Sequence, residues 1–178
     1  MKSFITTIIF IFLLVACSGK KDGKKDDTRV LMENITDSQG IQRMQPSVTT
    51  ETVEHNGKNY TIALSRFADD TLPLVESEVG DKFVDNKITL HILEGSKEIF
   101  NKTFTKDDFA SIVGSQFLKK SMLEGMVYDS ESSSRGLSFA VSVSYPQTDL
   151  FFPITVTISN SGKMSMKKEE VAEEFFYE

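Results

Sequence analysis

The amino-acid sequence predicts a mainly β protein, an antiparallel β-sandwich or open flattened barrel of about eight strands, with one short helix between strands four and five. Three observations carry this. Leu137, Phe139, Val141, Val143 and Tyr145 alternate with Ser138, Ala140, Ser142 and Ser144, so this stretch has one apolar and one polar face. Asn56-Gly57 lies between two strand-like runs, where a two-residue hairpin turn needs residues that accept positive φ. Turn-forming clusters at 130–136 and 160–162 separate further runs of the same kind. Strands joined by short turns pair antiparallel, and half-polar strands need a core on one side only.

The elements follow in chain order. Residues 30–47 are transitional: Val30, Leu31, Met32, Ile35, Ile41 and Met44 could pack on a domain, but Gly40 and Pro46 interrupt any long element. Residues 49–55 and 58–67 form the first hairpin, with Tyr60, Ile62 and Leu64 sharing a face. A long acidic loop, 68–86, leads to a second hairpin of 88–93 and 99–104, turned by Glu94-Gly95-Ser96. Thr105-Lys106-Asp107-Asp108 resembles a capping box and opens a helix over 106–120, interrupted near Gly114. A strand over 121–129 precedes the alternating run at 137–145. Pro146 breaks that run, and 150–159 follows with Phe152, Ile154, Val156 and Ile158 on one face. A last short strand surrounds Met164 and Met166, and the acidic stretch 169–178 is expected to close the fold as a helix.

Charge divides the chain unevenly. The net charge of the 178 residues is −6, but from Val30 onward 14 basic residues face 23 acidic ones, leaving −9 there. An acidic body argues against a nucleic-acid partner, whose phosphates need dense Lys and Arg. With 39% apolar residues and 14 Phe, the chain has material for a real core. A single cysteine excludes an internal disulfide and a cysteine-based zinc site.

That cysteine ends the most informative stretch. Lys2 is followed by a nearly unbroken apolar run over 4–16, shorter than the roughly 20 residues that span a bilayer. The run closes with Leu14-Val15-Ala16-Cys17, which resembles a bacterial lipoprotein lipobox. The resemblance implies that 1–16 is a signal peptide and that Cys17 becomes a lipidated first residue, an attachment made durable by two or three acyl chains. Residues 17–44 are expected to form a tether, reaching roughly 30 Å if disordered, and 45–178 the β domain. Ser18 lacks the acidic character that favours inner-membrane retention in enteric lipoproteins, so an outer-membrane anchor is expected, on either leaflet.

Gly40-Ile41-Gln42-Arg43-Met44-Gln45, Leu72-Pro73-Leu74-Val75, the stretch 83–90, the stretch 100–106 and Tyr145-Pro146-Gln147-Thr148-Asp149 together resemble a family of Bacteroidetes-type lipoproteins with no assigned activity. The resemblance implies an envelope lipoprotein with a mainly β domain. It transfers no catalytic residue.

The residues themselves offer little chemistry. His55 and His91, the only histidines, are expected on the surface, and no nucleophile motif or phosphate loop accompanies them. Segment 68–86 holds Asp69, Asp70, Glu76, Glu78, Asp81 and Asp85, which could collect Ca²⁺ or supply a carboxylate pair for glycoside hydrolysis. Asp70-Thr71-Leu72 resembles the O-glycosylation site that Bacteroidetes-type bacteria use on exported proteins, which implies Thr71 as acceptor. Phe151 and Phe152, being adjacent on a strand, must face opposite ways. The expectation is a membrane-anchored envelope lipoprotein with a non-enzymatic binding or structural β domain of unknown ligand, an envelope protein or glycan being the candidate partner, and with no cofactor, metal or catalytic residue. The alternatives are a carbohydrate-acting enzyme using the 68–86 carboxylates, and a carrier of a small apolar ligand.

Overall fold

Local alternation becomes sheet structure wherever a strand can turn its apolar side to a common core. The computed structural model describes residues 34–169. The expected signal segment, Cys17, most of the expected tether and nearly all of the expected closing helix lie outside the described residues.

The strands are β1 (Ile35–Thr36), β2 (Gln42–Arg43), β3 (Ser47–His55), β4 (Lys58–Ala68), β5 (Val75–Glu76) and β6 (Lys82–Phe83). They continue with β7 (Asn86–Glu94), β8 (Lys97–Phe104), β9 (Met122–Asp129), β10 (Leu137–Ser144), β11 (Phe151–Ile158) and β12 (Met164–Lys168). Two antiparallel sheets of order β3-β4-β7-β8 and β12-β11-β10-β9 hold the long strands. A third, small sheet of order β1-β2-β6-β5 contains one parallel pairing, Gln42 opposite Phe83.

The fold is mainly β, and it is not a single closed barrel, because every sheet ends in strands with one neighbour. Three expectations are corrected. Among the described residues there are twelve strands, not about eight, because four two-residue strands build the small sheet. The helical segment consequently falls between the eighth and ninth strands. It is also not one short helix but three short turns, parted at Gly114, where an interruption was expected: a 3₁₀ turn (Lys106–Phe109) leads to α1 (Ala110–Val113), and Gly114, at φ 84°, separates it from α2 (Ser115–Lys119).

The two large sheets share one core. Tyr60, Ile62, Leu64, Leu90 and Ile92 come from the first sheet, and Leu123, Phe139, Val141, Val156 and Ile158 from the second. Phe109, Val113 and Leu118 of the helical segment join them. Removing such a side chain from water contributes about 1.5–3 kcal/mol, which is why the alternating faces decide the orientation of each strand. The Asn56-Gly57 turn forms as its sequence asks, with φ of 51° and 73°.

The small sheet has its own apolar anchor. Val75, Phe83 and Met122 are buried together, with Met44 packed against them. Residues 34–44, expected within the tether, therefore carry β1 and β2, and segment 68–86, expected as a long loop, carries β5 and β6.

Candidate functional site

Four of the six carboxylates of 68–86, those of Asp69, Asp70, Asp81 and Asp85, are held by partners from their own fold. Lys87 Nζ lies 2.5 Å from Asp69, whose other oxygen accepts the Thr71 hydroxyl and amide at 2.6 and 2.8 Å. The Lys87 ammonium first, and then Thr71, hold the Asp69 carboxyl at about 2. Arg43 bridges Asp37 and Asp70 at 2.6 and 2.7 Å, and Gln147 donates to Asp81 at 2.8 Å. Asp85 is buried: one oxygen accepts the amides of Asn86 and Leu123, both at 2.8 Å, and the other faces Lys106. Among the described residues, no three His, Cys, Asp or Glu side chains gather as a metal site would require.

The histidines divide. His91, on β7, meets Glu98 at 3.0 Å near the surface. His55, expected at the surface, is only 8% exposed, because the hairpin turns its ring toward Tyr60, with centroids 6.4 Å apart. Phe152 packs edge-on against Phe117, while Phe151 lies on the other face and is 42% exposed. Thr71 is exposed in the turn after β4.

A broad concavity lies elsewhere, on the polar face of β10, β11 and β12. Strand register builds its floor. Ser138 is opposite Thr157, and Thr157 is opposite Ser165, so three hydroxyl residues form one row across three strands. The next row places Ala140, Thr155 and Lys167 side by side. Neighbouring strands are about 4.8 Å apart, which sets the spacing of these groups.

The turn between β9 and β10 supplies a wall. Asp129 accepts the amides of Glu131 and Ser132 at 3.0 and 3.2 Å, and its carboxyl is lowered by Ser132 above all. Ser133 donates to the Asp129 carbonyl at 2.6 Å and accepts the Ser138 amide at 3.0 Å. Ser138 in turn donates to the Ser132 carbonyl at 3.0 Å. Gly136 lets the turn settle on β11: a Cβ there would stand 2.5 Å from the Ile158 carbonyl oxygen.

The groove enclosed has a volume of about 640 Å³. Arg135, Lys163 and Lys167 line it, and no acidic residue does so among the described residues. Lys167 pairs at 3.0 Å with Glu169, which also accepts the Thr155 hydroxyl; Thr155 first, then Lys167, lowers the Glu169 carboxyl. Among the described residues, Arg135 and Lys163 have no ion-pair partner.

A second concavity of about 400 Å³ lies between β3, β4 and β9, with Leu64, Ile88 and Met126 beside Arg66. Burial pushes the Arg66 guanidinium down, although it donates to the Glu124 and Gln45 carbonyls at 2.7 and 3.0 Å.

None of the groove residues stands out in the sequence as chemistry. Their signal is weak: small hydroxyl residues at alternate positions of β10 and β11, and cations beside two turns. Only lateral register makes them neighbours.

Among the described residues, no helix is long and apolar enough to cross a membrane. A family model described as "Domain of unknown function (DUF4738)" matches residues 26–166, a span that contains every groove residue except Lys167. No curated protein matches the chain.

Proposed function

The chain belongs to the DUF4738 family, whose description assigns no activity, and from that premise we propose that it is a lipid-anchored, non-enzymatic binding protein of the bacterial cell envelope. The observation that carries the anchor is Cys17, the only cysteine in the chain, placed directly after the apolar run 4–16 and the residues Leu14-Val15-Ala16. Lipid on Cys17 holds the protein to the outer membrane, and the β domain meets its envelope protein or glycan partner at the end of the intervening segment.

A binding role, in preference to a catalytic one, is supported by the disposition of charge. The carboxylates at Asp69, Asp70 and Asp85 are engaged by Lys87, Arg43 and Lys106, whereas the large groove beside β10–β12 leaves Arg135 and Lys163 available. The test is metabolic labelling with radioactive palmitate and membrane fractionation. Wild-type protein takes the label and sediments with outer membrane; Cys17→Ser takes none and is released. A labelled Cys17→Ser protein, or one still bound to membrane, refutes the anchor.

Thr71 is proposed as the O-glycan acceptor of the exported protein, supported by its exposure in the turn after β4. Intact-mass measurement of protein from its native envelope checks this: Thr71→Ala lacks the added mass.

A further inference from the structure

The groove on β10–β12 contrasts with the protein around it. From Val30 onward the chain carries −9, yet Arg135, Lys163 and Lys167 line the groove. Asp129 is bonded to its wall and Glu169 to its floor and to Lys167, which leaves Arg135 and Lys163 as the cations without an ion-pair partner among the described residues. We infer that this groove binds an anionic saccharide, a sugar chain bearing sulfate or carboxylate groups. The inference rests on the proposed binding role and names its ligand class.

Three properties lead to that chemistry. Arg135 and Lys163 stand at two neighbouring turns at one end of the sheet, one after β9 and one after β11, and both line the groove. Cations so placed suit separate negative groups along one ligand, and charge-assisted hydrogen bonds to such groups are about twice as strong as neutral ones. Between them, Ser134, Thr157 and Ser165 present hydroxyls that both donate and accept, as sugar hydroxyls do. No aromatic residue lines the groove among the described residues, so it offers no stacking platform for a nucleobase.

Size and rigidity agree with this. A volume of about 640 Å³ falls within the roughly 300–1,000 Å³ of small-ligand sites. Ser138 and Thr155, 1% and 3% exposed, form a floor whose hydroxyls are already bonded to Ser132 and Glu169. The wall above it is tied down by Asp129, Ser133 and the close approach of Gly136 to Ile158. A ligand entering such a site orders little of the protein, which lowers the cost of binding.

Calorimetry on full-length protein in uncharged detergent micelles tests the assignment. The probes are sulfated dextran oligomers, oligogalacturonate and uncharged dextran oligomers of matched length, with an acidic glycolipid in mixed micelles of the same detergent as a lipid-borne source. Binding of a free anionic chain, of the acidic glycolipid, or of both supports the inference, provided uncharged dextran does not bind. The double variant Arg135→Gln, Lys163→Gln is expected to weaken binding at least about tenfold, and added salt to weaken it further. Lys97→Gln, an exposed cation on β8, is expected to stay within about twofold of wild type.

Equal binding of uncharged dextran, no binding of any anionic probe, or an equal loss in Lys97→Gln overturns the inference. Palmitate incorporation at Cys17 with no anionic ligand bound leaves the anchor standing and removes this site. Ligand binding without palmitate does the reverse.

Discussion

Lys106 Nζ lies 3.2 Å from a carboxylate oxygen of Asp85, with the two side chains 13% and 2% exposed. This ion pair joins the end of segment 68–86 to the first turn of the helical segment. Lys106 also donates to the Ser121 carbonyl at 2.7 Å, and Asp85 accepts the Leu123 amide, so both residues also reach the start of β9.

Breaking the pair from one side leaves a buried charge without its partner, which costs about 3–5 kcal/mol. Asp85→Ala also strips an acceptor from two amides. The expected result is a large fall in the urea midpoint, with the double variant Asp85→Asn, Lys106→Met less affected than Asp85→Ala. A loss below about 1 kcal/mol, the scale of an exposed pair, would show that solvent reaches the site.

Asp69 offers a pH-dependent contact. Its folded carboxyl, at about 2, lies below the roughly 3.9 of an unfolded aspartate. A depressed carboxyl binds fewer protons when folded, so its contribution is complete above that unfolded value and disappears as pH falls from about 4 through 2. Carbon-detected titration should place the Asp69 midpoint near 2, and Lys87→Gln should return it toward the ordinary range. A midpoint unmoved by that substitution would remove Lys87 as the cause.

Gly162 holds the β11–β12 turn against β8. Its φ is 80°, and an added Cβ would lie 2.3 Å from the Ile99 carbonyl oxygen, a backbone atom with little freedom to yield. Gly162→Ala combines backbone strain with a steric clash, so destabilisation of more than about 1 kcal/mol is expected. A thermal melt checks it, and an unchanged midpoint would mean that turn and strand separate readily.

Phe104 connects the end of β8 to the helical segment. It is fully buried, with ring centroids 6.3 Å from Phe100 and 5.8 Å from Phe109. Phe104→Ala should cost about 3–5 kcal/mol as a core truncation. Phe104→Leu, which keeps most of the volume, should cost clearly less in the same denaturation experiment.

Legibility in the sequence followed the range of the interaction. Tyr60, Ile62 and Leu64 reveal their shared face within five residues, and Asn56-Gly57 announces its own turn, because both depend on local backbone geometry. Gly114 likewise marks the helix break in advance, since its positive φ is a local requirement. The two-residue strands are shorter than any period, and β2 meets β6 some 40 residues away, so neither could be read. The acidic count of 68–86 suggested a charged loop because composition says nothing about partners. Asp85 instead depends on Lys106 and Leu123, and Asp70 on Arg43.

The amino-acid sequence by itself determined the mainly β class, the main turns and the inward faces of β4, β10 and β11. These follow from a side-chain period of two and from the few residues that tolerate tight turns. Tertiary structure alone decided that Ser138, Thr157 and Ser165 form one row, that Arg135 and Lys163 border the same groove, and that Asp85 is buried against Lys106. Lateral register and long-range ion pairing depend on which strands become neighbours, and that is settled by burying the apolar faces together.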